Sequence, residues 1–219
     1  MSSAKKLHIS WYILSDYVAA IIAWIILYFT RRYLLEETIT TESGLYLNNR
    51  FWWGLVLIPL GWLIFYSLVG AYTSLYNKSR LTETSVTLIC SLIGCTVIFF
   101  LIVINDPQHD YTYYYKAHLT YLTAHFLLTI LGRWIILSFV KKQLQKGSVR
   151  FNTLLIGSKS LASKIYADTA AGLRLAGYHY IGYVSNGTNG KNGVPAGLPY
   201  VGDLETIESI IDQRHVDLV

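Results

Sequence analysis

Hydrophobic positions fall into four long blocks, followed by a region where short apolar runs alternate with polar, glycine-rich ones. The blocks run at about Trp11–Thr30, Phe51–Tyr72, Ser85–Ile104 and His118–Val140. Each supplies the roughly twenty mostly apolar residues that a helix needs to cross a bilayer. The first is too long for a cleaved signal peptide, and Arg31-Arg32 follows it without a small-residue cleavage site. From Val149 the pattern shortens. "VRFNTLLIG" predicts a buried strand ended by Gly157, Ser158–Ala171 a helix, and Tyr178–Val184 a second strand. "SNGTNGKNGVPAG" has no periodicity and predicts a loop. Asp203 is the expected cap of a helix over Leu204–Arg214, and "HVDLV" is the expected third strand.

The expected fold is therefore an all-α region of four transmembrane helices (residues 1–146), followed by a partial α/β, Rossmann-like βαβαβ domain (residues 147–219). Half of a doubly wound sheet leaves strand edges unpaired. This sheet is expected to need roughly another 50–100 residues, or a partner, to close its core.

Composition agrees with that division. Of 219 residues, 53% are hydrophobic and 14% charged, outside the usual range for a soluble domain. Residues 1–150 hold 13 Lys/Arg against 7 Asp/Glu, whereas residues 151–219 hold 5 against 6. The basic excess thus lies with the apolar blocks. A nucleic-acid binder would carry it on the soluble domain, so nucleic acid is not an expected partner. With the N-terminus inside, the inner flanks carry eight Lys/Arg (Lys5, Lys6, Lys78, Arg80, Lys141, Lys142, Lys146, Arg150) and the outer flanks four (Arg31, Arg32, Arg50, Lys116). The positive-inside rule then puts both termini in the cytoplasm. Arg31-Arg32 is the awkward pair, followed closely by Glu36, Glu37 and Glu42.

Two charged residues lie inside the expected spans, Asp16 and Arg133. Both fall about 10 Å below the cytoplasmic interface at roughly 1.5 Å per residue. Three readings stay open: a structural Asp16–Arg133 pair between the first and fourth spans, independent snorkelling, or a lipid-phosphate contact at Arg133. His118 and His125 share one face with Thr129 and suit a polar interhelical seam better than a metal site. Cys90 and Cys95 point to different sides of one helix and read as small apolar fillers. Tyr111–Tyr115 reads as part of an interfacial aromatic belt, with a carbohydrate-stacking surface as the alternative.

The turn "LLIGSKSLA" resembles a dinucleotide-binding loop that lacks a part. Lys159 stands where the second glycine would let a backbone approach a pyrophosphate. Ser185-Asn186 stands where an acidic ribose partner belongs. Gly157, Ser158, Lys159 and Ser160 remain as a weak phosphate or nucleotide-like site, or as plain fold architecture. No metal ligands are assigned.

The loop "GAYTSLYNKSRLTE" (Gly70–Glu83), Asp16 and the stretch "GYHYIGYVSN…GVPAGLPYVGDLETIESII" resemble bacterial polyprenyl glycosylphosphotransferases, in particular the undecaprenyl-phosphate glucose phosphotransferase type. The likeness covers essentially the whole chain. It implies transfer of a sugar 1-phosphate from a UDP-sugar to undecaprenyl phosphate at the inner leaflet, with Mg²⁺, to start exopolysaccharide, capsule or O-antigen units. The family's catalytic residues lie in a C-terminal domain that no position here matches, so Mg²⁺ is expected only there and none in residues 1–219. The Rossmann-like part resembles the family's CoA-binding-like domain. The resemblance implies a multi-pass protein of the bacterial inner membrane. Its expected partners are anionic lipid, undecaprenyl phosphate, the catalytic domain and, in a homo-oligomer, further copies of the chain. Lys78, Arg80 and Arg133 are the candidates for the lipid phosphate. Two alternatives stay open: the front of a membrane nucleotide-sugar 4,6-dehydratase, and a non-enzymatic polysaccharide-assembly partner.

Overall fold

The structure, a computed structural model, describes residues 6–37, 40–41, 44–45, 47–106, 110–186 and 198–218. The expected Gly/Asn-rich loop lies, beyond Asn186, outside the described residues, as do Lys5, Glu42 and Val219. The chain divides into two compact units, a helical one over Leu7–Phe139 and a second comprising Met1–Lys6 and Val140–Val219.

Among the described residues, four helices are long and apolar enough to cross a membrane. They are α1 (Ser10–Leu34), α2 (Asn49–Leu68), α3 (Arg80–Ile98, continued by a π-helical turn, Phe99–Val103) and α4 (Tyr111–Gln145). Between α1 and α2, β1 (Thr40–Thr41) and β2 (Gly44–Leu45) pair antiparallel. The helices extend past most of the apolar blocks. Charged and polar residues at their ends are helical too, and these lower local hydropathy without breaking the backbone pattern. At the start of α2, Asn48 accepts a hydrogen bond from Phe51 N at 3.0 Å, satisfying a donor that a helix N-terminus otherwise leaves open.

The helical core is aromatic. Trp62 (α2) stacks on His125 (α4) with centroids 3.7 Å apart, and its Nε1 donates to Tyr121 Oη at 2.9 Å. Tyr66 Oη lies 3.2 Å from His125 Nε2. Trp24 (α1) donates to the Phe51 carbonyl at 3.2 Å. These rings need small residues opposite them. A Cβ on Gly54 would run into the Trp24 ring, and one on Gly94 into the Trp62 ring.

The second unit holds a three-stranded parallel sheet in the order β3–β4–β5, formed by β3 (Phe151–Ile156), β4 (Tyr178–Ser185) and β5 (Tyr200–Asp203). A helix covers each face. Ile210 of α6 (Ile207–Arg214) packs with Leu154 and Val184, whereas Ala162 of α5 (Lys159–Leu175) packs with Tyr183 and Leu198. Adjacent residues on a strand face opposite ways, so Tyr183 and Val184 serve the two faces.

The third strand differs from expectation. It is Tyr200–Asp203, whereas the described part of the expected strand, His215–Leu218, contributes one parallel bridge between Thr153 and Leu218. Tyr200-Val201 sits between Pro199 and Gly202, which read as turn signals, and the strand exists through pairing with the β4 edge. Gly182 makes the close approach feasible, because a Cβ there would stand 2.7 Å from the Pro199 carbonyl oxygen. Asp203 precedes a short 3-10 turn (Leu204–Thr206) ahead of α6. Its side chain makes no cap bond and instead accepts from Tyr200 Oη at 2.6 Å.

Gly94→Ala is expected to cost about 1–3 kcal/mol through overpacking against Trp62, read as a lowered thermal midpoint in detergent. Gly61→Ala on α2 is the control and is expected to leave the midpoint unchanged or higher, because open space surrounds its Cβ position.

Candidate functional site

The helical unit contains a closed network of four charges drawn from α1, α3, α4 and the loop between α2 and α3. Arg133 on α4 is its centre, with no exposed side-chain surface. Its Nε donates to Asp16 Oδ1 at 3.1 Å and its Nη2 to Asp16 Oδ2 at 2.7 Å, a two-pronged contact with α1. Its Nη1 donates to Glu83 Oε2 at 3.2 Å and to Thr87 Oγ1 at 2.9 Å, both on α3. Lys78, in the loop, donates to Glu83 Oε1 at 2.5 Å. Two carboxylates and two cations alternate, so the cluster is formally neutral.

Each carboxylate receives three donors. Asp16 takes both prongs of Arg133 and the Tyr72 hydroxyl, at 3.1 Å. Glu83 takes Arg133, Lys78 and the Tyr12 hydroxyl, the last at 2.6 Å. Tyr12 and Tyr66 present ring faces to the guanidinium, whose Cζ lies 5.1 and 4.3 Å from their centroids. Removing charges from water costs several kcal/mol per ion, and only close pairing with further hydrogen bonds offsets that cost. This arrangement supplies both. Chemically it is a lock, because its donors and acceptors are committed to one another.

A second polar cluster joins α1 to the segment before α4. Arg31 Nε donates to Asp106 Oδ2 at 2.8 Å, and Arg31 Nη2 and Tyr113 Oη also contact the Asp106 carboxylate. Tyr114 Oη donates to the Asp106 carbonyl at 3.3 Å. Arg31, awkward for topology, thus has a carboxylate partner, and Arg32 pairs with Glu37 at 3.2 Å. The tyrosine run divides by helix face: Tyr111 and Tyr115 are exposed, and Tyr113 is buried against Asp106.

The structure brings Asp16 and Arg133 together and joins Glu83, Lys78, Tyr12, Tyr72 and Thr87 to them, an arrangement the sequence does not announce. Arg133 and Lys78, named as lipid-phosphate candidates, are enclosed by carboxylates of their own chain. Arg80 is exposed and donates to Ser138 Oγ at 2.9 Å. His125 faces Trp62 and Tyr66, His118 lies edge-on to Phe99, and Thr129 is buried. Cys90 and Cys95 are buried free thiols.

In the second unit, Gly157 ends β3 and Ser158 caps α5, its Oγ accepting from Leu161 N at 3.4 Å. Ser158 Oγ lies 3.2 Å from Ser160 Oγ, so the turn's hydroxyls serve the turn itself. Lys159 is half-buried at the first helical position. Beyond this turn, the hydrogen bond to Asp203 pushes the Tyr200 phenol up to about 12. Among the described residues, no group of three His, Cys, Asp or Glu is placed to hold a metal ion. Compared with protein-family models and with curated proteins, the chain gives no match to either.

Arg133→Met leaves two carboxylates facing each other across an apolar side chain. Its expected cost is about 3–5 kcal/mol, the usual loss when one member of a buried ion pair is removed. The double variant Asp16→Asn/Arg133→Met is expected to lose less than Arg133→Met alone, as read by thermal unfolding in detergent.

Proposed function

We propose that this chain is the membrane-anchoring and regulatory front part of an undecaprenyl-phosphate sugar-1-phosphate transferase that starts exopolysaccharide, capsule or O-antigen units. The transfer chemistry belongs to a catalytic domain that residues 1–219 do not resemble, and Mg²⁺ acts there. One observation carries the reading. The segment Gly70–Glu83, one of the features that carry the resemblance to polyprenyl glycosylphosphotransferases, is fastened to α1 and α4 by the buried charge network. Tyr72 reaches Asp16, and Glu83 reaches Tyr12 and Arg133, while Lys78 closes back onto Glu83. The loop's shape is thereby held by helices of the apolar unit, as suits a surface that presents a lipid phosphate to an enzyme.

In this reading the four apolar helices span the bacterial inner membrane with both termini in the cytoplasm, as the Lys/Arg bias of the flanks supports. The lipid phosphate meets Arg80, the exposed cation at the start of α3, because Lys78 and Arg133 hold the preceding loop in place. The parallel sheet with a helix on each face is a Rossmann-like half whose role is regulatory.

Membranes from cells with the gene deleted, incubated with radiolabelled UDP-sugar, test this directly. Label extractable as polyprenyl-linked sugar phosphate is expected to vanish and to return on complementation with the gene. Purified residues 1–219 alone are expected to yield none. Undiminished lipid-linked label after deletion would contradict the reading.

A further inference from the structure

The second unit carries a cationic pocket that lies away from the glycine turn. It is formed where α4 connects to β3 and α5 connects to β4, by the connections and the ends of the elements they join, so it sits where the strands begin. The glycine turn lies at the opposite end of β3. Lys146, Arg150, Arg174 and His179 line a depression of about 130 Å³, together with Gly147 and Tyr178. That is roughly four water volumes, enough for one small tetrahedral anion. None of the lining residues is a carboxylate, and among the described residues Lys146, Arg174 and His179 enter no ion pair.

The bland account is that cations gather at helix C-termini because the helix dipole favours them there. Arg150 does donate to the Gly147 carbonyl, at 3.1 Å. Magnitudes decide the matter. Two helix ends contribute about half a negative charge each. Lys146, Arg150 and Arg174 supply three positive charges, of which the helix ends offset about one. The backbone also holds the pocket in shape. Gly147 and Gly177 take left-handed conformations, at φ +64° and +88°. Those turns fold the linkers back, and Phe151 N joins them by donating to the Gly177 carbonyl at 2.8 Å. Arginine forks and an ammonium on a preshaped turn suit a phosphate oxyanion better than a single carboxylate. A larger depression of about 610 Å³ shares Arg174, Tyr178 and His179, and adds Tyr166, Tyr180 and Arg214. It gives space for whatever the phosphate is attached to.

We infer that the pocket of Lys146, Arg150, Arg174 and His179 is a binding site for a phosphate group, borne by an anionic lipid headgroup or by a soluble phosphate compound. The pocket stands on the second unit alone. A failed transfer assay leaves it intact, and a failed test of the pocket leaves the transferase reading intact.

The test is the rate at which an amine-acylating reagent modifies Lys146 in the full chain, followed by mass spectrometry, with exposed Lys164 as internal control. In neutral phosphatidylcholine nanodiscs, inorganic phosphate at roughly ten times its half-effect concentration is expected to slow Lys146 acylation about tenfold by mass action. Lys164 is expected to stay unchanged, and chloride at matched ionic strength to do nothing. Nanodiscs containing phosphatidylglycerol, without added phosphate, identify the source. Protection there assigns the site to a lipid headgroup, and protection by free phosphate alone assigns it to a soluble ligand. Arg174→Gln is expected to abolish protection in whichever arm shows it. His179→Gln, expected to weaken it, replaces that variant if circular dichroism shows it unfolded. No protection of Lys146 in either arm, or equal protection of Lys164, overturns the inference.

Discussion

One guanidinium ties together three of the long helices. Arg133 lies between the carboxylates of Asp16 and Glu83, and α1, α3 and α4 meet around it. Such a group is stable in an apolar setting only when its charge is matched and its N–H bonds are used. That requirement reaches outward. Two carboxylates against one guanidinium would leave an excess negative charge, and Lys78 balances it from the loop. Tyr12 and Tyr72 then add one hydroxyl donor each, to Glu83 and to Asp16. The loop from α2 to α3 is therefore part of the network's charge balance.

Aromatic packing carries the same order along the helices. Tyr66 lies against Arg133 on one side and reaches His125 on the other, and His125 stacks on Trp62, which donates to Tyr121. Further along α1, Arg31, Asp106 and Tyr113 form a second, smaller lock. From Asp16 to Arg31 is about 22 Å along the helix at 1.5 Å per residue. An apolar layer bounded by polar locks fits the proposed bilayer setting, where the hydrocarbon core is about 30 Å thick.

Much of this was legible in the sequence, for identifiable reasons. Twenty-residue apolar runs announce helices whatever their tertiary partners. Asp16 and Arg133 stood out as lone charges in such runs, and their equal depth suggested the pairing whose geometry the structure shows. Glu83 was hidden because it lies in the polar stretch "YNKSRLTE", where a carboxylate looks ordinary. Only the start of α3 at Arg80, rather than near Ser85, turns Glu83 inward one turn before Thr87. Asp106 was hidden in the same way beside a loop. The β5 strand was missed because Pro199 and Gly202 spell a turn, and its strand character comes from β4 alone. The pocket at the sheet's base joins linkers far apart in sequence, which no local pattern brings together.

If the buried charges hold the loop in shape, removing one of them loosens it. Hydrogen–deuterium exchange over residues 70–79, compared between the native chain and Glu83→Gln in the same nanodiscs, tests this most directly. Faster exchange in that loop, with the middle of α2 unchanged, is the expected result. Unaltered exchange across the loop, in a variant that remains folded, would contradict it.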